Sequence, residues 1–212
     1  MPISASKAFC SNLSEGLHAF AQPLSILRAS LGNDHLDRMA REELLELASN
    51  SATQVERVCR LFSCLQQLLN IENIEPHLSE TAILPLLAQV ADGASLLFEE
   101  SGMILNVVLP ASCPPVLINR TRTLEALSTI LLVAHAVSDR EDTIELITST
   151  SVSNDVRVVV QNARGSIKAM NAEQRLNIAL AEANMRSQEA RFLCSTMPFR
   201  VQVEFSAPPL AQ

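Results

Sequence analysis

Residues 17–24 read Leu17-His18-Ala19-Phe20-Ala21-Gln22-Pro23-Leu24 and lie within a long amphipathic pattern. From residue 11 to residue 31, apolar side chains recur in steps of three and four, at Leu13, Leu17, Phe20, Leu24, Leu27 and Leu31. This spacing predicts a helix with one apolar stripe. A neighbouring stripe carries His18, Gln22, Ser25 and Ala29, so we expect His18 to point away from the apolar stripe.

A second helical pattern follows the turn signal Gly32-Asn33-Asp34 and covers residues 36–71. Its apolar residues are expected close to one seam, formed by Leu44, Leu47, Val55, Val58, Phe62, Leu65 and Leu69. The two patterns predict a helical hairpin with a wide apolar stripe and only one partner helix. We therefore expect two copies to pair as a homodimeric four-helix bundle.

The pattern becomes mixed α and β after Glu75-Pro76-His77. It predicts a helix over 79–100 with Ser79 as its N-cap, a strand over 103–109, a helix over 120–138, strands over 143–150 and 155–161, a helix over 171–186, and a closing hairpin of 191–195 and 199–205. This order predicts an α+β sandwich with helices on one face of a mixed sheet. The predicted domains are 1–75 and 76–212.

Composition and charge exclude several classes of protein. With 48% hydrophobic and 18% charged residues the chain can build a core, whereas a net charge of −7 and 3% aromatic residues disfavour nucleic-acid binding. The uncharged run 101–119 contains Pro110, Pro114 and Pro115, so it is not a membrane-spanning helix. The five cysteines form no CxxC pair, and we expect no disulfide framework and no metal site. The N-terminal residues lack a hydrophobic signal core, which favours a cytoplasmic protein without a membrane partner.

The order of residues around His18 resembles the H-box of sensor histidine kinases, in which a histidine is followed five residues later by Pro-Leu. Here these positions are His18, Pro23 and Leu24. Pro23 cannot donate a hydrogen bond to the carbonyl of Ala19, which bends the helix one turn beyond His18. The resemblance implies that His18 is the catalytic nucleophile and phosphate carrier. A single histidine on a helix is also common as an ordinary surface residue.

The second half resembles the kinase ATP-binding domain in element order but lacks its chemical groups. Residues 115–122 match the segment before the N-box helix, with Asn119 where aspartate is usual, and the two N-box asparagines are replaced by Thr129 and Val133. A valine offers no oxygen to Mg²⁺. At the Asp-x-Gly-x-Gly motif stand Asn162, Arg164 and Ser166, and residues 171–184 contain no glycine for a phosphate-wrapping loop. We therefore expect a degenerate ATPase-like domain without a nucleotide cofactor.

The resemblance as a whole implies a histidine phosphotransferase of a bacterial two-component phosphorelay. Such a protein passes phosphoryl groups between a response-regulator aspartate and His18 without ATP, because the receiver domain supplies the Mg²⁺ and the acidic pocket. We expect the receiver domain to dock on Gln22, Ser25, Arg28 and Ala29. Ala19, however, replaces the acidic residue that usually follows the histidine. This leaves open a non-catalytic scaffold that binds a sensor histidine kinase or a response regulator.

Overall fold

The computed structural model describes residues 20–32, 40–73, 75–163 and 168–207. The chain divides into two compact units, with the division between Leu69 and Asn70. In the first unit, α1 covers residues 20–31 and α2 is the 33-residue helix Arg41–Asn73, which continues past the division. Both lie where the sequence predicts helices. Among the described helices, none is both long enough and apolar enough to cross a membrane.

The second unit is an α+β sandwich, as predicted. Its elements in chain order are β1 (Ser79–Thr81), α3 (Ile83–Ser101), β2 (Ile104–Val108), β3 (Val116–Ile118), α4 (Arg120–Val137), β4 (Thr143–Thr150), β5 (Val156–Asn162), α5 (Ala172–Arg186), β6 (Arg191–Thr196) and β7 (Phe199–Phe205). The main sheet has the strand order β2-β4-β5-β7-β6, in which β2 runs parallel to β4 and the other neighbours are antiparallel.

The predicted start of the third helix at Ser79 is wrong. Residues Ser79–Thr81 form β1, which pairs antiparallel with β3 in a separate two-stranded sheet. The helix begins at Ile83, after Ala82 in an extended conformation without a side-chain cap. Pro85 is tolerated in this first turn because its position needs no intrahelical donor. Local pattern could not reveal β1, since its partner strand lies 37 residues further along the chain.

Asn119, Asn171 and Gly102 define three further helix ends. The Oδ1 atom of Asn119 accepts a hydrogen bond from the N–H of Arg122 at the start of α4. Asn171 and Gln174 form a reciprocal capping box at the start of α5. Gly102 ends α3 in the left-handed region with φ 72°, where a residue with a Cβ would be strained.

One face of the sheet packs against the three helices of the second unit. Side chains alternate along the strands, so Ile144 and Leu146 of β4 and Val158 and Val160 of β5 point into the same apolar core. The core also contains residues of α3, α4 and α5, including Phe98, Ile130, Leu131 and Ala181. The helices therefore share one face, and α4 is held rigidly with one side toward α5.

Candidate functional site in each unit

The predicted docking residues on α1 are all accessible. Gln22, Ser25, Arg28 and Ala29 are exposed, whereas Pro23 between them is buried. His18 lies outside the described residues, so its position relative to these side chains stays a prediction. The accessible stripe could make contact with a protein surface.

The apolar stripe of α1 is only partly covered in a single copy. Leu24 is 49% exposed and Leu31 is 58% exposed, although both belong to the stripe that the sequence pattern places inward. Large apolar side chains left in water at this level on several turns favour association with a further surface.

The predicted single seam of α2 is wrong in one respect, because the structure separates its residues onto two faces. Of the predicted seam, Leu65 is buried, together with the neighbouring Leu61 and Leu68, whereas Phe62 is 55% exposed and Leu69 is 43% exposed. The exposed residues recur in steps of three and four, as they do in a coiled-coil helix. We call this face the outer seam; it consists of Leu45, Ala48, Ala52, Val55, Cys59, Phe62, Gln66 and Leu69.

In the second unit, α4 and α5 enclose a groove of about 390 Å³. Its α4 wall holds the two positions that correspond to the N-box asparagines. Its α5 wall is the polar first half of that helix. The lining residues are Thr129, Leu132, Val133, Ala136, Asn171, Glu173, Gln174 and Asn177. The structure thus brings together the N-box positions and the start of α5.

The described lining of this groove offers few groups that would bind a nucleotide with Mg²⁺. Val133 is 2% exposed and forms an apolar wall at the position of the metal-binding asparagine. Among the lining residues that the structure describes, the carboxylate of Glu173 is the one ionisable side chain, and none is basic to meet phosphate charge. No cluster of three potential metal ligands among His, Cys, Asp and Glu occurs in the described part of the chain.

Asn162, at the position that the resemblance assigns to adenine recognition, is buried, and its amide group is hydrogen-bonded inside the protein. It ends β5 and is 5% exposed. Its Nδ2 atom donates to Ser138 Oγ and to Asp142 Oδ2, both at 2.9 Å. Asp142 also accepts from the backbone N–H of Asp139, at 2.9 Å. Both amide hydrogens therefore stabilise the loop between α4 and β4. Arg164 and Ser166, at the two glycine positions, lie outside the described residues.

His135 lies on α4, two residues beyond Val133, and packs against the core. Its ring meets Phe98 edge to face at 5.2 Å, and its Nε2 atom is buried without a hydrogen-bond partner. Burial, with a smaller contribution from the positive charge of Lys168, lowers the pKa of His135 below its ordinary value of 6.5. A neutral imidazole is favoured in the folded protein, and the residue is a packing residue rather than a ligand.

The lowered pKa of His135 predicts that the protein loses stability at acidic pH. Because the folded-state pKa is lowered, the unfolded chain binds the proton first as pH falls below about 6.5, so stability is lost on the acid side. We expect His135→Gln to remove roughly 0.5 kcal/mol of the stability difference between pH 7.5 and pH 5.5, a small value because the ring is partly solvated. Urea unfolding at both pH values measures it. An unchanged difference in the variant would contradict the assignment.

Sequence reasoning missed Gln188, which connects the start of α4 to the end of α5. This side chain is 4% exposed and follows the end of α5. Its Oε1 atom accepts from the N–H of Asn119 at 2.5 Å and from Thr123 Oγ1 at 3.2 Å. Its Nε2 atom donates to the carbonyl of Asn184 at 2.8 Å. No sequence signal marks it, since a glutamine after a helix is ordinarily a surface residue.

Solved structures of histidine kinases share this architecture. The histidine kinase AdeS of Acinetobacter baumannii aligns with a TM-score of 0.69 and 14% identity over 91% of this chain and 98% of its own. The chain has a histidine-kinase-like fold. A histidine kinase from Burkholderia phymatum aligns with a TM-score of 0.53 and 14% identity, over 92% of this chain and 98% of that one.

A third histidine-kinase-like match carries a nucleotide analogue. Full-length ShkA, solved in complex with AMPPNP, aligns with a TM-score of 0.60 and 15% identity over 93% of this chain and 45% of its own. No protein-family model and no curated protein sequence matches the chain. The likeness therefore lies in the histidine-kinase-like fold, and function has to be argued from the sites.

Proposed function

We propose that this protein is a histidine phosphotransferase of a two-component phosphorelay. It passes phosphoryl groups between a response-regulator aspartate and His18, in the cytoplasm and without ATP. The observation that carries the proposal is the α4–α5 groove, where buried Val133 stands at the position that the resemblance assigns to a metal ligand and Glu173 is the only ionisable residue of the described lining. A histidine-kinase-like fold that has lost these groups keeps the functions that need no nucleotide.

The remaining chemistry requires little from the histidine-bearing protein. In the forward step a ring nitrogen of His18 attacks the phosphorus of the receiver's aspartyl phosphate. The new N–P bond forms as the P–O bond to the aspartate breaks, and the carboxylate leaves with the electron pair. The receiver's own Mg²⁺ and acidic pocket stabilise the charge in transit. This chain contributes the imidazole and its alignment.

The exposed face of α1 supports the docking part of the proposal. Gln22, Ser25, Arg28 and Ala29 are accessible and recur at the spacing of one helix face, starting one turn after His18. They combine small side chains with one cation, which suits close approach of a receiver domain with an acidic pocket. Docking brings the imidazole and the aspartyl phosphate into line, the main source of rate in phosphoryl transfer of this kind.

The outer seam of α2 supports a homodimer as part of the same proposal. Its exposed apolar residues have the period of helix-to-helix packing, and a single copy leaves them in water. Two copies related by a two-fold axis would bury Val55, Phe62 and Leu69 in a four-helix bundle.

A phosphotransfer assay tests the function. A panel of phosphorylated receiver domains is mixed with wild-type protein, with His18→Ala and with His77→Ala, and acid-labile, base-stable label on this chain is followed. We expect label on wild type and on the His77 variant, because His77 is an exposed histidine outside the predicted hairpin domain 1–75, and none on the His18 variant. Transfer of label from the receiver domains to this chain should slow by at least about 1,000-fold in His18→Ala, since the nucleophile is removed.

The alternative is a non-catalytic scaffold that binds a histidine kinase or a response regulator. Ala19 favours it, because no acid follows His18 to orient the imidazole. Binding of a receiver domain without transfer of label, equally strong in wild type and in His18→Ala, would reject the phosphotransferase and support the scaffold. Arg28→Glu should weaken receiver binding in both cases, because Arg28 is the cation of the docking face.

A further inference from the structure

The sheet edge formed by β2 lacks the charged side chains that usually protect an open strand edge. β2 ends the strand order and pairs only with β4 among the described residues. Three of its five residues are exposed apolar side chains: Ile104 at 56%, Val107 at 37% and Val108 at 47%. The surrounding run 101–119 contains no charged residue. Native proteins normally place lysine, proline or a bulge on such an edge to prevent pairing with another chain.

The other edge of the same sheet is protected in the usual way. β6 begins with Arg191, whose guanidinium lies 3.7 Å from the carboxylate of Glu204, and this side chain is 82% exposed. The sheet therefore has one charged edge and one uncharged edge. Because the protein carries a net charge of −7, the uncharged edge is where a second copy can approach with least repulsion.

The backbone of β2 has hydrogen-bonding groups directed away from the sheet. The N–H of Ile104 donates to the carbonyl of Asp142, at 3.0 Å on the β4 side. Successive residues of a strand direct their N–H and C=O groups to opposite sides, so Leu105 and Val107 direct theirs to the open side. Neither residue makes a backbone hydrogen bond to another segment within the described part of the chain.

We propose that β2 pairs antiparallel with β2 of a second copy about a two-fold axis at Asn106. The sequence Ile104-Leu105-Asn106-Val107-Val108 has two apolar residues on each side of a central amide. In this register Leu105 lies opposite the second copy's Val107, and each pair exchanges two hydrogen bonds, which gives four in total. Ile104 meets the second copy's Val108 on the open face of the sheet, and the two Asn106 residues lie opposite each other.

This register is favourable for the backbone hydrogen bonds, for the apolar side chains and for the charges. The residues with outward N–H and C=O groups are the ones that the two-fold places opposite each other as hydrogen-bonded pairs. Apolar residues meet apolar residues on both faces, and no like charges oppose each other. The strand is short, so the contact is weaker than a standard interface of about 1,600 Å² and acts at high local concentration. It is independent of the proposed phosphotransfer.

Disulfide trapping tests the pairing in the full-length chain. Asn106→Cys is placed in a background with Phe62→Glu and with Cys10, Cys59, Cys113 and Cys194 replaced by serine, so that the helical seam does not contribute. Opposed residues in a non-hydrogen-bonded antiparallel pair have Cα atoms about 4.5 Å apart, which a disulfide can span. The control, Val108→Cys, lies on the same face, but its two copies would be roughly 13 Å apart.

We expect mild oxidation to convert most of the Asn106→Cys protein to a disulfide-linked dimer, with at least ten-fold less for Val108→Cys. Adding Ile104→Cys to the Val108→Cys protein should restore trapping, because those residues oppose each other across the axis. Circular dichroism confirms that each variant is folded. Equal trapping of Asn106→Cys and Val108→Cys would overturn the proposal, and so would no trapping, the result expected if the edge binds a different protein.

Discussion

Phe62→Glu is expected to sediment as a monomer under conditions in which the wild-type protein is a dimer. Phe62 is 55% exposed in the single copy and lies in the middle of the outer seam of α2. If two copies pack along this seam, the variant places two carboxylates in an apolar contact without a partner for either. Burying an unpaired charge costs several kcal/mol, so dimerisation should weaken by at least about 100-fold.

The matched control for this experiment is Gln67→Glu. Gln67 is exposed on the same helix but outside the outer seam, so it adds the same charge without entering the proposed interface. Analytical ultracentrifugation across a micromolar concentration series should show a wild-type-like dimer for the control. A wild-type protein that is monomeric throughout, or a Phe62→Glu protein as dimeric as the control, would reject the proposed helical interface.

Gln188→Ala is expected to lower the free energy of unfolding by about 3 kcal/mol. The side chain supplies one acceptor to two donors, the N–H of Asn119 and the hydroxyl of Thr123. Thr123 is 0% exposed, so water cannot replace the lost acceptor without entering the core. Each buried donor left unpaired costs about 1–3 kcal/mol.

Gln188→Glu tests the donor of this side chain separately from its acceptor. It retains an oxygen for Asn119 and Thr123 but loses the hydrogen bond from Nε2 to the carbonyl of Asn184. At neutral pH we expect a loss at least as large as that of the alanine variant, because the new carboxylate is buried and one of its oxygens faces the carbonyl of Asn184. Urea unfolding measures both variants. If Gln188→Ala unfolds within about 0.5 kcal/mol of the wild type, the link between α4 and α5 is not structural.

Hydrogen exchange tests the link between α4 and α5 helix by helix. The amides of α5 should exchange faster in Gln188→Ala, because the C-terminal end of this helix is joined to the start of α4 through Gln188 and through Arg122 Nη1, which donates to Ser187 Oγ at 3.1 Å. The amides of α3 provide the internal control, since that helix does not contact Gln188 through any of these hydrogen bonds. Equal acceleration in both helices would indicate global unfolding instead.

Most elements of the second unit could be predicted from local pattern, for identifiable reasons. α4 is predicted from an apolar run that begins after Asn119 and is observed from Arg120 to Val137. β4 and β7 have clear period-two patterns with buried alternate residues, β5 is predicted from its β-branched residues, and Gly102 marks the end of α3. In each case the signal is local: a cap, a glycine in the left-handed region, or alternation on one buried face.

The residues of the candidate site could be predicted from the sequence, but their hydrogen-bond partners could not. Sequence comparison with the kinase pattern singles out Thr129, Val133 and Asn162, and the structure places the first two in one groove wall. The sequence comparison could not show that the amide of Asn162 donates to Ser138 and Asp142, or that Gln188 joins α4 to α5. These contacts join residues 20 to 69 positions apart, and hydrogen-bond partners at such separations leave no periodic trace in the sequence.

The amino-acid sequence alone determined the α+β class and a helical hairpin pattern, because each follows from residue type and local spacing. Its resemblance to the kinase motifs implies the loss of oxygen and glycine positions on which a nucleotide site depends. Only the tertiary structure decided that β1 is a strand, that α2 has a buried face and an outer seam, and that β2 is an uncharged edge. Which face is covered and which strand is last depend on the packing of distant segments. Propensity and periodicity, which are properties of neighbouring residues, do not contain that information.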